Sequence, residues 1–217
     1  MSTLAQLRTR VLLVLLDTAS AIFTADLVDD SLRQVLHSYT LVNPLTNETV
    51  IVLPGEGREI ALDALTNLRF VLDVWWPYDS LSPYEWPPNR VKGYRLDWDD
   101  ARPVLNLYQI VGNEPQTDDE VRIWYATPQT IQDLDSASVT TVLAEHESHL
   151  VNAAAGQAAM SRSLDLVETA GTDLYQVSIL ATWGANKLRL FNTWLDSLRQ
   201  ANVRLGPAWG SGWYAFG

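Results

Sequence analysis

The chain has 217 residues, enough for one large domain or a domain with an insertion, and its 47% apolar composition with nine tryptophans excludes a disordered polymer. Its 26 acidic residues outnumber 15 basic ones, for a formal net charge of −11, and Lys92 and Lys187 are the lysines. That balance excludes a protein that grips phosphate backbones through a basic face, and the absence of cysteine excludes a disulfide framework.

The N-terminal stretch RTRVLLVLLDTASA imitates a secretory signal, with two arginines, an apolar run and Ala19-Ser20-Ala21 as a small-residue cleavage site. The run covers only residues 11–16 before Asp17, shorter than the roughly 7 to 15 residues of a signal core. Leu4, Leu7, Val11, Val14 and Leu15 instead recur at helical spacing, which predicts a bundle helix over about 2–17 and a retained N-terminus. A second helix follows, with Thr24 as N-cap and Asp26 at the positive end of its dipole. Val28, Leu32, Val35, Leu36 and Tyr39 form its apolar face, and Asp29, Asp30, Arg33 and Gln34 are expected to face water.

From Thr40 the period shortens. Residues 49–53, 58–62, 68–76, 90–98, 104–111 and 120–126 are β-branched or aromatic runs separated by Pro, Gly, Asn and Asp. Six antiparallel strands predict a small sandwich or barrel over 41–128. DWDDARP reads as a hairpin turn, SPYEWPPN as a loop outside the sheet, and Asn47-Glu48-Thr49 as a turn. The acidic groups at 97–100 and 118–120 lack the ligand spacing of a calcium loop and read as solvated turns.

After Pro128 the helical period returns. Val139, Leu143, His146, Leu150, Ala153, Gln157, Met160, Leu164 and Val167 form one seam; Leu174, Val177, Ala181, Gly184, Leu188, Phe191, Leu195 and Leu198 form another. Two helices of about 30 residues each are predicted over 129–203, broken at Ala170-Gly171-Thr172, with the alanines and glycine of 153–159 allowing close helix approach. The fold class is therefore α+β: a four-helix bundle built from residues 1–40 and 129–203, an inserted β module at 41–128, and an extended aromatic and Gly-rich tail at 204–217.

Candidate chemistry is sparse. AEHESHL falls one residue short of a His-Glu-x-x-His zinc motif, so His146 reads as a core or interface residue, His149 as solvent-facing, and no metal or other cofactor is expected. No phosphate loop, Gly-x-Ser-x-Gly elbow or cysteine nucleophile occurs, which predicts a protein without catalysis. Trp75, Trp98 and Trp124 fall in strands and read as core or sheet-face residues. Trp183 lies off its helical seam and suggests a subunit contact.

Phe23-Thr24-Ala25-Asp26-Leu27 with Asp30-x-Leu32-x-x-x-Leu36, and later EVRIWYATPQTIQDL before LAEHESHLVNAAAGQAAM, resemble the tailed-phage head-to-tail adaptor (connector) proteins over about half of the chain. The resemblance implies a structural virion protein, assembled in the host cytoplasm and located in the neck. It implies a ring, commonly a dodecamer, between portal and a tail or nozzle protein, with double-stranded DNA passing unbound through its lumen and no membrane partner. An acidic conduit fits that picture, because it repels the duplex. Trp183 and His146 then become subunit-interface candidates. Trp209, Trp213, Tyr214 and Phe216 of the tail become candidate portal anchors, since large aromatics serve as hot spots. The alternatives are another neck or tail-completion protein, or a carbohydrate- or small-ligand-binding β module using the loop from Tyr84 to Trp86.

Overall fold

The computed structural model describes residues 2–82, 89–109, 114–167 and 174–205. The chain divides into two compact units, residues 1–43 with 129–217 and residues 44–128. No helix among the described residues is long and apolar enough to cross a membrane.

In the first unit, α1 (Leu4–Val14) opens on a capping box in which Thr3 Oγ1 accepts from the Gln6 N–H and Gln6 Oε1 accepts from the Thr3 N–H. The helix stops before the apolar run does. The Leu16 N–H donates to Leu13 O and the Asp17 N–H to Leu12 O, a Schellman closure that puts Leu16 at φ 58° and leaves the residue 89% exposed. Asp17 is buried, and its carboxylate accepts from the backbone N–H groups of Ala21, Ile22 and Phe23 at 2.8–3.0 Å. Helix α2 (Ala25–Val42) begins at Thr24, whose Oγ1 accepts from the Leu27 N–H, and buries Val28, Leu32, Val35, Leu36 and Tyr39 as its period requires. Asp29 departs from the expected solvent position: it is buried in an ion pair with Arg8 of α1. A second helix packs there, and the guanidinium makes that burial tolerable.

The next helix starts later than its seam predicts. Helix α3 (Glu147–Val167) follows a 3-10 turn at Ala144–His146, and residues before it form turns rather than helix. Thr140 and Thr141 explain the difference. Their hydroxyls accept from the Gln132 and Thr130 N–H groups at 2.8 Å, while Asp133, Asp135 and Ser136 adopt positive φ. Val139 and Leu143 consequently lie exposed rather than on a buried seam. Helix α4 (Leu174–Leu205) has 32 residues, close to the predicted length; the Ala170-Gly171-Thr172 break lies outside the described residues.

α3 and α4 cross backbone to backbone. A Cβ at Gly184 would stand 2.6 Å from the Gly156 carbonyl oxygen, and one at Gly156 would stand 2.9 Å from the Gly184 oxygen. Ala153, Ala154, Ala155, Ala158 and Ala159 around this crossing are fully buried. The expected four-helix bundle is replaced by an arrangement centred on α3, which packs against α1, α2 and α4. At 11 residues, α1 is too short to line a 32-residue helix.

The second unit holds β1 (Leu45–Val52), β2 (Glu59–Ala61), β3 (Phe70–Tyr78), β4 (Gly93–Asp99), β5 (Arg102–Gln109) and β6 (Glu120–Thr127). They form two three-stranded antiparallel sheets, ordered β1-β6-β3 and β2-β5-β4. Val74, Trp76, Val121 and Ile123 of one sheet and Ile60, Leu105 and Leu107 of the other share one core. A closed barrel does not form, because each sheet keeps its own edges. The β4–β5 hairpin turns at Asp100-Ala101, both at positive φ, as DWDDARP predicted. Asn47 lies inside β1 instead of in a turn, and its Nδ2 donates to Thr127 Oγ1 at 2.7 Å.

Candidate interaction surfaces

His146 lies in the turn before α3, where its Nδ1 is 2.7 Å from the Tyr39 hydroxyl, which in turn accepts from Asn43 Nδ2 at 2.7 Å. Burial raises the Tyr39 pKa. Trp194 of α4 closes the group: its ring meets His146 edge-on at 5.1 Å and stacks on His149 at 4.2 Å with a 4° interplanar angle. The expected solvent-facing His149 therefore presents one ring face to Trp194, although the residue is exposed overall. Desolvation, and then the proximity of His146, lowers its pKa. The two histidines clamp one tryptophan, and the described residues contain no group of three His, Cys, Asp or Glu placed to hold a metal. The contacts that place His146 are thus within its own unit.

Trp183 is half-buried against the edge of the helical core, with the Lys187 ammonium 5.3 Å from its ring centroid. Lys187 also donates to Asn152 Oδ1 at 2.8 Å, which fixes that face of Trp183. Further along the same helix pair the apolar seams outrun their cover. Leu164, Val167, Leu174, Tyr175 and Ile179 are between 52% and 72% exposed, although the sequence periodicity sets the first three on buried seams. Large apolar side chains left exposed on two long helices are of the kind that association buries.

The β unit contributes an aromatic cluster that the sequence order concealed. Trp75 and Trp124 approach to 4.5 Å between centroids, and the Arg122 guanidinium stands 4.5 Å from Trp124 and 5.2 Å from both Trp75 and Tyr78. Glu48 completes the group, 2.6 Å from Arg122 Nη2. Strand alternation marked the tryptophans as sheet-face residues, but only the β1-β6-β3 register brings them onto Arg122. Trp98 is 58% exposed, a sheet-face rather than a core position. Burial drives the Tyr94 pKa to about 12, so this phenol stays protonated. A concavity of about 220 Å³ in the helical unit is lined by Gln34, Ser38, Gln157, Leu188, Phe191 and Asn192 among others, with no charged side chain among the described residues that line it.

Trp209, Trp213, Tyr214 and Phe216, the tail residues expected to anchor on a portal, lie outside the described residues, as does the loop from Tyr84 to Trp86.

What the described residues define is a two-unit protein of helices and two small antiparallel sheets. No protein-family model and no curated protein sequence matches the chain. Among solved structures it is similar to a chain from the neck of an empty GTA particle computed with C6 symmetry, at 17% identity and a TM-score of 0.29, over 76% of this chain and 79% of that one. A likeness that loose carries no argument of its own.

Proposed function

We propose that the chain is a structural virion protein of the phage neck, a ring-forming head-to-tail adaptor that joins portal to tail and surrounds the exiting DNA without catalysing a reaction. The observation that carries this reading is the exposure of Leu164, Val167, Leu174, Tyr175 and Ile179 on α3 and α4, apolar side chains suited to subunit contact. The residues of the adaptor resemblance support it. Thr24 caps α2 directly after the buried Phe23, and Tyr125-Ala126-Thr127 end β6 immediately before Pro128, ahead of the Ala-rich α3. The acidic balance, 26 against 15, suits a conduit that the duplex passes without adhering.

On this reading the subunits form a ring, commonly of twelve, in the host cytoplasm before taking their place in the virion. Trp183, with one face held by Lys187, and His146, packed against Tyr39 and Trp194, lie at the subunit contact. Trp209, Trp213, Tyr214 and Phe216 anchor the tail on the portal, because rigid aromatics on a Gly-interrupted strand order on binding. A chain ending at Val203 is expected to keep its melting temperature and to lose co-sedimentation with the portal protein of the same phage. An earlier melt together with retained portal binding would place the tail on its own helices.

A further inference from the structure

Beyond Phe191, α4 is held by the apolar contacts of Leu195 and Leu198 and by two further seats. The first is the ring cluster around Trp194, which Tyr39 of α2 faces at 6.0 Å, His146 meets edge-on and His149 of α3 covers in a parallel stack. The second is Asn202, whose Nδ2 donates to Val42 O and to Asn43 Oδ1, each at 3.3 Å. Asn43 Nδ2 donates in turn to the Tyr39 hydroxyl, and that hydroxyl lies 2.7 Å from His146 Nδ1. One chain of hydrogen bonds therefore runs from an imidazole to the last turns of α4.

Protons act on this chain at both histidines. The Tyr39 hydroxyl has one hydrogen; since Asn43 donates to its oxygen, that hydrogen goes to Nδ1, and the His146 proton sits on Nε2, toward Glu145 at 3.6 Å. A second proton, on Nδ1, sets donor against donor beside a fully buried tyrosine and turns the hydroxyl hydrogen away from its acceptor. On His149 the stack with Trp194 favours a positive charge through cation–π attraction, while desolvation, and then the neighbouring His146, oppose it and hold the pKa below its ordinary 6.5. With the folded value below the unfolded one, the contribution of the neutral ring is complete above pH 6.5 and is lost as pH falls through the folded value.

We propose that this cluster is a proton-operated latch: with both imidazoles neutral it holds the last turns of α4 to α2 and α3, and mild acid releases them. The segment it governs is the one from which residues 206–217 continue. Among the described residues, the other charges near the cluster are committed elsewhere or screened. On the turn, the Glu145 side chain is 76% exposed. On α3, Glu147 accepts from Ser2 and Arg10; on α4, Lys187 donates to Asn152, and Asp196 pairs with Arg199. On α2, His37 is exposed, and burial keeps the Tyr39 phenol protonated. The latch involves the helical unit alone and does not rest on the adaptor reading; either can fail without the other.

The test uses the full chain with 5-fluorotryptophan in place of its nine tryptophans, the Trp194 fluorine resonance being assigned by its loss in Trp194→Phe. That resonance should shift in step with the ring protons of His146 and His149, two of only three histidines. Hydrogen exchange of residues 195–202, corrected for the intrinsic rate, should speed up at least about tenfold between about pH 7.5 and about pH 5, while residues 180–190 keep their protection. Combining His146→Asn with His149→Phe removes both titrations but keeps an acceptor for Tyr39 and a ring against Trp194, and should abolish both changes. A Trp194 resonance that stays fixed across this range in the otherwise unsubstituted chain would overturn the latch without recourse to the double variant. Faster exchange that persists in the folded double variant, or that spreads evenly along α4, would overturn it equally.

Discussion

Gly184→Ala is expected to destabilise the protein by roughly 2 kcal/mol, even though alanine improves an exposed helix interior by about 1 kcal/mol. The added methyl would meet the Gly156 carbonyl oxygen at 2.6 Å, the Met160 Cγ at 2.8 Å and the Met160 backbone nitrogen at 3.2 Å. Met160's side chain can rotate aside, but two of the three obstacles are backbone, so the helices themselves must separate. That movement strips contacts from the fully buried alanines beside the crossing. For a chain of this size the loss corresponds to a melting temperature lower by about 4–8 °C. Thermal unfolding followed by circular dichroism measures it, and a rise in melting temperature would show that the close crossing is not what holds α3 to α4.

Glu147→Gln is the second large expected effect. Glu147 is 5% exposed at the first turn of α3, where Oε1 accepts from the Ser2 N–H at 2.8 Å and Oε2 from the Ser2 hydroxyl at 2.7 Å and from Arg10 Nη1 at 2.6 Å. Burial pushes its pKa upward, and the hydrogen bonds from Ser2 and the Arg10 guanidinium outweigh burial, so the net shift is downward. The glutamine amide would turn N–H donors toward donors. A cost of about 3 kcal/mol at neutral pH is expected, the low end for a broken buried pair, because Arg10 is 39% exposed and regains water.

The sign of the pH dependence follows from the direction of the shift. A carboxyl whose folded pKa lies below its unfolded value of 4.5 stabilises above that pH and loses its contribution as pH falls through the folded value. The Asp17 carboxyl, lowered chiefly by the hydrogen bond from the Phe23 N–H, acts in the same direction. Urea unfolding should therefore show wild type and Glu147→Gln converging below about pH 4. A constant gap down to pH 2 would show that packing, not charge, accounts for the loss.

Elements whose apolar spacing is decided by nearby residues were legible in the sequence. The buried row from Val28 to Tyr39 in α2 and the alternation Val121/Ile123 in β6 appear where the periods place them. Asp29 and Glu147 were not legible, because each is buried through a partner that only the tertiary fold supplies; Arg10 and Glu147 are 137 residues apart. Val139 and Leu143 misled for the opposite reason. They keep helical spacing, but the threonine hydroxyls beside them satisfy backbone donors in a turn and remove the need for a helix. The exposed row at Leu164, Val167 and Leu174 was legible as an apolar seam and not as an uncovered one, since periodicity marks a face and not what lies against it.

Negative-stain imaging of the purified full-length chain, alone and mixed with the portal protein of the same phage, tests the adaptor reading most directly. The account predicts closed rings with an open central channel, stacked coaxially on the portal when both are present. A chain that stays monomeric or dimeric at every concentration and leaves the portal undecorated would contradict it.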